Sequence, residues 1–210
     1  MGSDEYEADP DEAPVHEVSV NSFYVGRFEV TQKQWKRVMG KNPSMFKGDE
    51  RPVECVSWDD VQLFIKKLNS ITGHSFRLPS EIEWEYAASG GNNKLSKECL
   101  LNIYETAWFV ENSESISHRV GTLQPNELGI YDMLGNVYEW CNDVYDSLSY
   151  ARRLRPGSEN LDSTIKVYRG GCWLSSKKYV RIPNRGKGSS DLRNYCLGFR
   201  LVEDCACDER

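Results

Sequence analysis

Residues 128–141 read Leu-Gly-Ile-Tyr-Asp-Met-Leu-Gly-Asn-Val-Tyr-Glu-Trp-Cys, a stretch that neither helical nor strand periodicity describes. Apolar and aromatic side chains surround Gly129, Asp132, Gly135, Asn136 and Glu139. Gly135-Asn136 is a turn signal, because glycine takes positive φ freely and asparagine tolerates the left-handed region. Asp132 and Glu139 put two carboxylates into a short irregular segment whose backbone carbonyls no ladder consumes. Hard cations such as calcium take that mixture of carboxylate and carbonyl oxygens. The spacing is not that of an EF-hand, and a buried turn whose carboxylates cap backbone N–H groups explains the same residues.

The 210 residues allow one sizeable core and one domain. With 39% hydrophobic and 28% charged residues the composition is that of an ordinary globular chain. A net charge of −6 argues against a nucleic-acid partner, which needs a basic surface. No apolar run reaches membrane-spanning length. Much of the acidity lies in Asp4–Glu12, which reads as a solvated arm. The expected organisation is an acidic arm over 1–14, one domain over 15–203 and a tail over 204–210. The seven cysteines include no C-x-x-C pair, and the three histidines are isolated, so a zinc site is not expected. Cysteine usage leaves the compartment open: cell surface or secreted if a leader precedes the sequence, cytoplasmic otherwise.

Three helices are signalled, two by capping boxes, Thr31 with Gln34 and Ser80 with Glu83, and one by Ser57 as N-cap with Asp59 and Asp60 in its first turn. Gly40, Gly73 and Gly90-Gly91 stop them. His16–Val25, Arg27–Val30, Ala107–Phe109, His118–Thr122, Ile165–Arg169 and Leu197–Val202 read as extended pieces. Arg181, Arg185, Arg193 and Arg200 are expected to tie down the loop-rich C-terminal part through bidentate hydrogen bonds. The helical carboxylates are assigned to caps and exposed faces. Few helices, short strands and many loops describe a single α+β domain.

The phrases of this chain resemble the formylglycine-generating enzyme, or sulfatase-modifying factor, domain. They run in order through Met1-Gly-Ser3, Glu29-Val-Thr31, Pro52–Trp58, Arg77–Ala87, Ala107-Trp-Phe109, Leu128–Trp140, Arg169-Gly-Gly171 and Gly198-Phe-Arg200. The resemblance implies a loop-rich variant of the C-type lectin fold. It also implies a structural calcium ion at the Asp132 and Glu139 side chains and the Gly135 and Val137 carbonyls.

One departure bears on function. The oxidase members hold copper(I) through two cysteines shortly after the Gly-Gly phrase, and thiolates are the soft ligands that select it. Here those positions fall on Ser175 and near Lys177, so copper is not expected, although Cys172 remains nearby and Cys196 could approach it through the fold. The leading expectation is a non-catalytic module that binds a protein or small-molecule ligand through an exposed surface at 172–196. Trp173, Leu174, Ser175, Ser176, Lys177, Tyr179, Asn194, Tyr195 and Cys196 are its candidate contacts. Arg193–Arg200 resembles the tail of retroelement-diversified variable proteins. The alternatives are a copper-dependent oxidase converting a substrate cysteine to formylglycine, and a structural component of bacterial surface machinery.

Overall fold

All three helix caps form, and the Ser57 cap proves to be a capping box with Asp60 as well. In the computed structural model, which describes residues 1–5, 8–91, 103–154 and 162–205, Thr31, Ser57 and Ser80 each accept the N3 amide. In return the N3 side chain takes the cap's own N–H. These caps open helices α1 (Gln32–Met39), α2 (Trp58–Thr72) and α3 (Glu81–Ala88). Gly40 and Gly73 end the first two in the left-handed conformation, at φ 78° and 75°. The short remaining elements are β1 (Phe23–Val25), α4 (Ile103–Thr106), β2 (Ala107–Trp108), β3 (Leu134–Gly135), β4 (Tyr138–Val144), α5 (Ser149–Leu154), β5 (Ile165–Arg169), β6 (Arg185–Ser189), β7 (Leu197–Gly198) and β8 (Val202–Asp204).

The central sheet has the order β6-β5-β4-β7, antiparallel except for the parallel β4–β7 pair. Strand β4 divides the core, since alternate residues face opposite ways. On one side Trp140 joins Trp35, Val53, Phe64, Leu78 and Phe199, with the Trp35 and Phe64 rings stacked at 5.0 Å. On the other side Cys141 packs with Trp84, Ala87, Met133 and Val167. Two small pairings, β1 with β8 and β2 with β3, complete the framework. Among the described residues no helix is long and apolar enough to cross a membrane.

Four extended segments differ from the sequence reading. Of His16–Val25 only Phe23–Val25 is strand, and Arg27–Val30 and His118–Thr122 are irregular. Their amides bond singly to distant partners, Val30 to Phe199 and Val120 to Glu50, rather than in a ladder. The expected final strand splits into β7 and β8, because Arg200 between them turns into the interior.

The acidic arm also needs correction. Glu12 is fully buried, and the Arg181 guanidinium grips it in a fork at 2.8 and 2.9 Å. The Asp11 carboxylate accepts the Tyr145 hydroxyl at 2.7 Å, and its carbonyl accepts Arg185 Nη1 at 3.0 Å. This end of the arm is seated on the domain by arginines from the C-terminal half.

Candidate functional site

The opening turn is built around close backbone approach. Gly135 has φ 78°, and a Cβ there would lie 2.2 Å from the Trp108 carbonyl oxygen, so only glycine fits. Asp132 and Asn136 on either side are also left-handed, at φ 56° and 51°. The Asn136 side chain then donates to Glu29 Oε2 at 2.7 Å, and the Val137 amide to Glu29 Oε1 at 3.2 Å.

The carboxylates of this turn belong to a buried charge frame. Arg200 donates to both Glu139 oxygens at 2.6 and 2.7 Å, and its remaining N–H groups go to the Gly26 and Tyr131 carbonyls. Trp84 Nε1 also donates to Glu139, at 2.7 Å. A carboxylate offers about four acceptor directions, so Glu139 keeps room for one more partner. Asp132 accepts the Gly121 amide at 2.7 Å. Burial, and then repulsion from Asp132 and Glu139, pushes the Glu29 carboxyl well above its usual range. Burial likewise raises Asp132 to about 6 against the Gly121 amide and Arg200. Three carboxylates here face one guanidinium, an excess of negative charge that fits a divalent cation. Among the described residues no group of three or more His, Cys, Asp or Glu side chains is arranged to hold a metal. An ion at this turn would therefore depend on backbone carbonyls.

A parallel frame lies behind α3. Arg169, fully buried, donates to Glu81, Glu85 and the Ile182 and Pro183 carbonyls. Arg185 forks Glu81 at 2.7 and 2.9 Å. These helical carboxylates are thus buried partners, not the exposed or capping groups the sequence suggested. The expectation for the four arginines holds, each making a bidentate fork: Arg181 to Glu12, Arg185 to Glu81, Arg193 to Asp60 and Arg200 to Glu139.

Segment 172–196 is not one continuous surface. Val180 and Ile182 are core, and Asn184 and Arg185 are buried with them. Beside these core residues lies a cleft of about 460 Å3, lined by exposed and buried residues of the segment. Leu174, Ser175, Ser176 and Tyr179 line one side, and Asn194, Tyr195 and Cys196 the other. Trp173 is not a wall. It is 5% exposed and packs edge-on against Phe46 at 5.3 Å, because its ring fills the apolar space under Val137 and Cys196. Lys177 is exposed and lies outside the lining. Tyr138, Tyr168 and Leu192 complete the cleft and were missed. Strand alternation at Tyr138-Glu-Trp140 and Val167-Tyr168-Arg169 was the available signal, since each tyrosine points away from a buried charged neighbour.

Cys172 and Cys196 both line this cleft and are buried in one apolar cluster with Val137 and Trp173. Hydrogen bonding from Cys196, opposed by burial and helped by Ser175, brings Cys172 down to about 7. The shared proton and burial push Cys196 far up. Ser175 Oγ lies 3.3 Å from Cys172 Sγ and 3.1 Å from the Tyr138 hydroxyl. Burial pushes the phenols of Tyr138 and Tyr168 up, so both stay neutral. The arrangement offers aromatic faces, hydroxyls and one ionisable thiol. Two other clefts, about 530 Å3 beside β1 and about 860 Å3 along the N-terminal segment, contain no cysteine.

The sulfatase-modifying factor enzyme 1-like domain pattern matches residues 1–205. The chain belongs to this family. It is 32% identical to chaperone protein LppX of Paenibacillus barcinonensis, over 88% of this chain and 81% of that protein. It is 29% identical to the formylglycine-generating enzyme of Streptomyces coelicolor over 81% of its own length, but spans 58% of that enzyme. It spans 35% of the Chlamydia pneumoniae serine/threonine-protein kinase pkn1, to which it is also similar. Among solved structures, variable protein 1 of Treponema denticola superposes with a TM-score of 0.81 at 29% identity, covering 97% of this chain and 91% of that one. The fold is thus the family's α+β, C-type lectin-like architecture.

Proposed function

We propose that this chain is a non-catalytic binding module whose ligand seats in the cleft between residues 174–179 and 194–196. The observation that carries this reading is the cleft's lining. Tyr138, Tyr168, Tyr179 and Tyr195 supply aromatic faces, and Ser175, Ser176 and Asn194 supply neutral hydrogen-bonding groups. Such a mixture suits recognition of a small molecule or a protein side chain. Leu174, Tyr179 and Tyr195 are 46%, 43% and 40% exposed, so they are free for contact. The likeness to the Treponema variable protein supports the finer proposal that Asn194, Tyr195 and Cys196 are positions at which copies of such a gene differ. Sequencing that gene end across a population tests it, and an invariant segment would remove it.

Calcium is proposed as a structural ion of the Asp132–Glu139 turn, held by those two side chains and the Gly135 and Val137 carbonyls. Its role would be to neutralise the frame beneath the cleft.

A second reading, a copper-dependent oxidase, gains one observation, the presence of Cys172 and Cys196 in the lining of one cleft. Against it stand Ser175 and Lys177 at the positions where the oxidases carry their cysteines. Incubation of the copper(I)-loaded protein with a cysteine-motif peptide, followed by mass spectrometry, separates the two readings. The binding module leaves the peptide thiol intact; conversion to the aldehyde, abolished in Cys172→Ala, would establish the oxidase.

A further inference from the structure

The two walls of the 172–196 cleft are held in different ways. Residues 194–196 are tied across the fold: the Asn194 carbonyl accepts the Cys55 amide at 3.0 Å, and the Cys196 carbonyl accepts the Tyr138 amide at 2.7 Å. The facing wall carries Tyr179 on the 3-10 turn Lys177–Tyr179, which contains no buried residue. Its amide bonds, Tyr179 to Ser176 and Val180 to Lys177, close within the turn itself. A single turn of this kind is weak alone, and segments with little packing and exposed hydrogen bonds are the first to open.

Its ties lead to the N-terminal arm. Arg181 Nε donates to the Lys178 carbonyl at 2.7 Å, while the other end of the same guanidinium forks Glu12. The Glu12 side chain is 0% exposed and that of Arg181 11%, so water and salt screen this pair little. Asn184 Nδ2 adds bonds to Glu12 at 3.3 Å and to Asp9 at 3.4 Å. Asp9 also lies 3.7 Å from Lys178 Nζ, and that ammonium stands 5.5 Å over the Tyr179 ring. The arm thus reaches the backbone of the turn through Glu12 and its aromatic face through Asp9. It has a seat of its own as well, because Asp11 is held by Tyr145 and Arg185.

We propose that the arm is a strap that shapes the cleft, with Glu12 as its positioning residue, a proposal that rests on the reading of the cleft as the ligand site. Glu12 fixes the plane of the Arg181 guanidinium, and Arg181 fixes the carbonyl of the turn that presents Tyr179. With the arm seated, Tyr179 faces Asn194 and Tyr195 from one position, and a ligand meets two preformed walls. Without the fork, the turn keeps only its own bonds, and ordering that wall becomes a cost of binding. The arm therefore acts on the ligand without touching it.

The test is amide hydrogen exchange, read by mass spectrometry, on the full chain and on Glu12→Gln, which keeps the side-chain size but not the charged fork. Exchange over residues 176–181 should accelerate by about tenfold or more, the scale of losing a hydrogen bond to a charged group. Residues 194–198 across the cleft, and α2, should keep their wild-type rates. Asp9→Asn should accelerate the same peptide by only about two- to threefold, because its pair with Lys178 is exposed. The site itself is read with 4-methylphenol, a neutral aromatic probe matched to the lining. Its amide shifts at Ser176 and Tyr179 should collapse in Glu12→Gln, while those at Asn194 and Tyr195 persist. Unchanged exchange at 176–181 would overturn the strap. Equal acceleration in α2 would overturn it too, since Glu12 would then be a general stabiliser. If Glu12→Gln does not fold, Asp9→Asn decides by the same comparison of 176–181 with 194–198. A wild-type cleft that leaves 4-methylphenol unbound counts against the binding module, and the exchange comparison still judges the strap.

Discussion

The buried charge frame and the 172–196 cleft are built from opposite rules. In the frame, Glu139 takes three donors, and Arg200 makes four hydrogen bonds, two to Glu139 and two to backbone carbonyls. Loops cannot supply a ladder, so arginines do the work that strands perform elsewhere, tying the Gly26, Tyr131, Ile182 and Pro183 carbonyls to the core. The cleft sits on the far face of the same two strands. Tyr138 and Tyr168 flank Glu139 and Arg169 in sequence, yet carry neutral groups toward solvent. An interior held by these charged forks lets the adjacent surface vary in chemistry without loss of fold.

The largest expected effect breaks the frame. Arg200→Met leaves Glu139 charged and buried beside Glu29, and should cost about 3–5 kcal/mol in urea unfolding. The double variant Arg200→Met with Glu139→Leu should recover part of it, limited by the lost acceptor of Trp84. A silent Arg200→Met would remove the distinction between the two regions.

Calcium sharpens the comparison next. If the frame's excess charge is met by an ion, calcium at about 100 times its dissociation constant should stabilise the fold by about 2.7 kcal/mol. Differential scanning calorimetry reads this as a raised Tm, and Asp132→Ala should abolish the rise. An unchanged Tm in calcium would leave Arg200 as the frame's sole counter-charge.

A smaller effect concerns pH. Burial raises the Glu83 carboxyl, but the Arg77 fork and the Ser80 donors more than offset it, holding the group below its ordinary value. The stability it adds is therefore complete above the usual carboxylate range and lost as pH falls through the depressed value. Glu83→Gln should cost on the order of 1 kcal/mol at neutral pH, the scale of a helix cap. That difference should shrink below about pH 4. A constant difference down to pH 2 would contradict the ionic origin. The smallest stability effect belongs to the cleft: Tyr195→Ala should stay within about 0.5 kcal/mol by chemical denaturation.

The parts of this architecture legible in the sequence were local. Helix caps lie within a few residues of chain, so Thr31, Ser57 and Ser80 announced their helices, and Gly135-Asn136 announced its turn. The arginine ties were legible as a class, because buried guanidinium groups need carboxylates, but the partners were not. Glu12 looked solvated within an acidic run, since its counter-charge Arg181 lies 169 residues away. Trp173 looked like a contact residue until the fold placed Phe46 against it. That Cys196 could come to the Cys172 side was raised by the sequence, but the β4–β7 pairing that seats it there is two residues long and left no signal.

The most direct test of the binding claim is amide chemical-shift mapping of the isotope-labelled protein against a small-molecule fragment library. The account predicts that hits cluster on Leu174, Ser176, Tyr179, Asn194 and Tyr195, and that Tyr195→Ala loses them while keeping its fold. Hits gathered instead on the cleft beside β1, or hits unchanged by Tyr195→Ala, would contradict it.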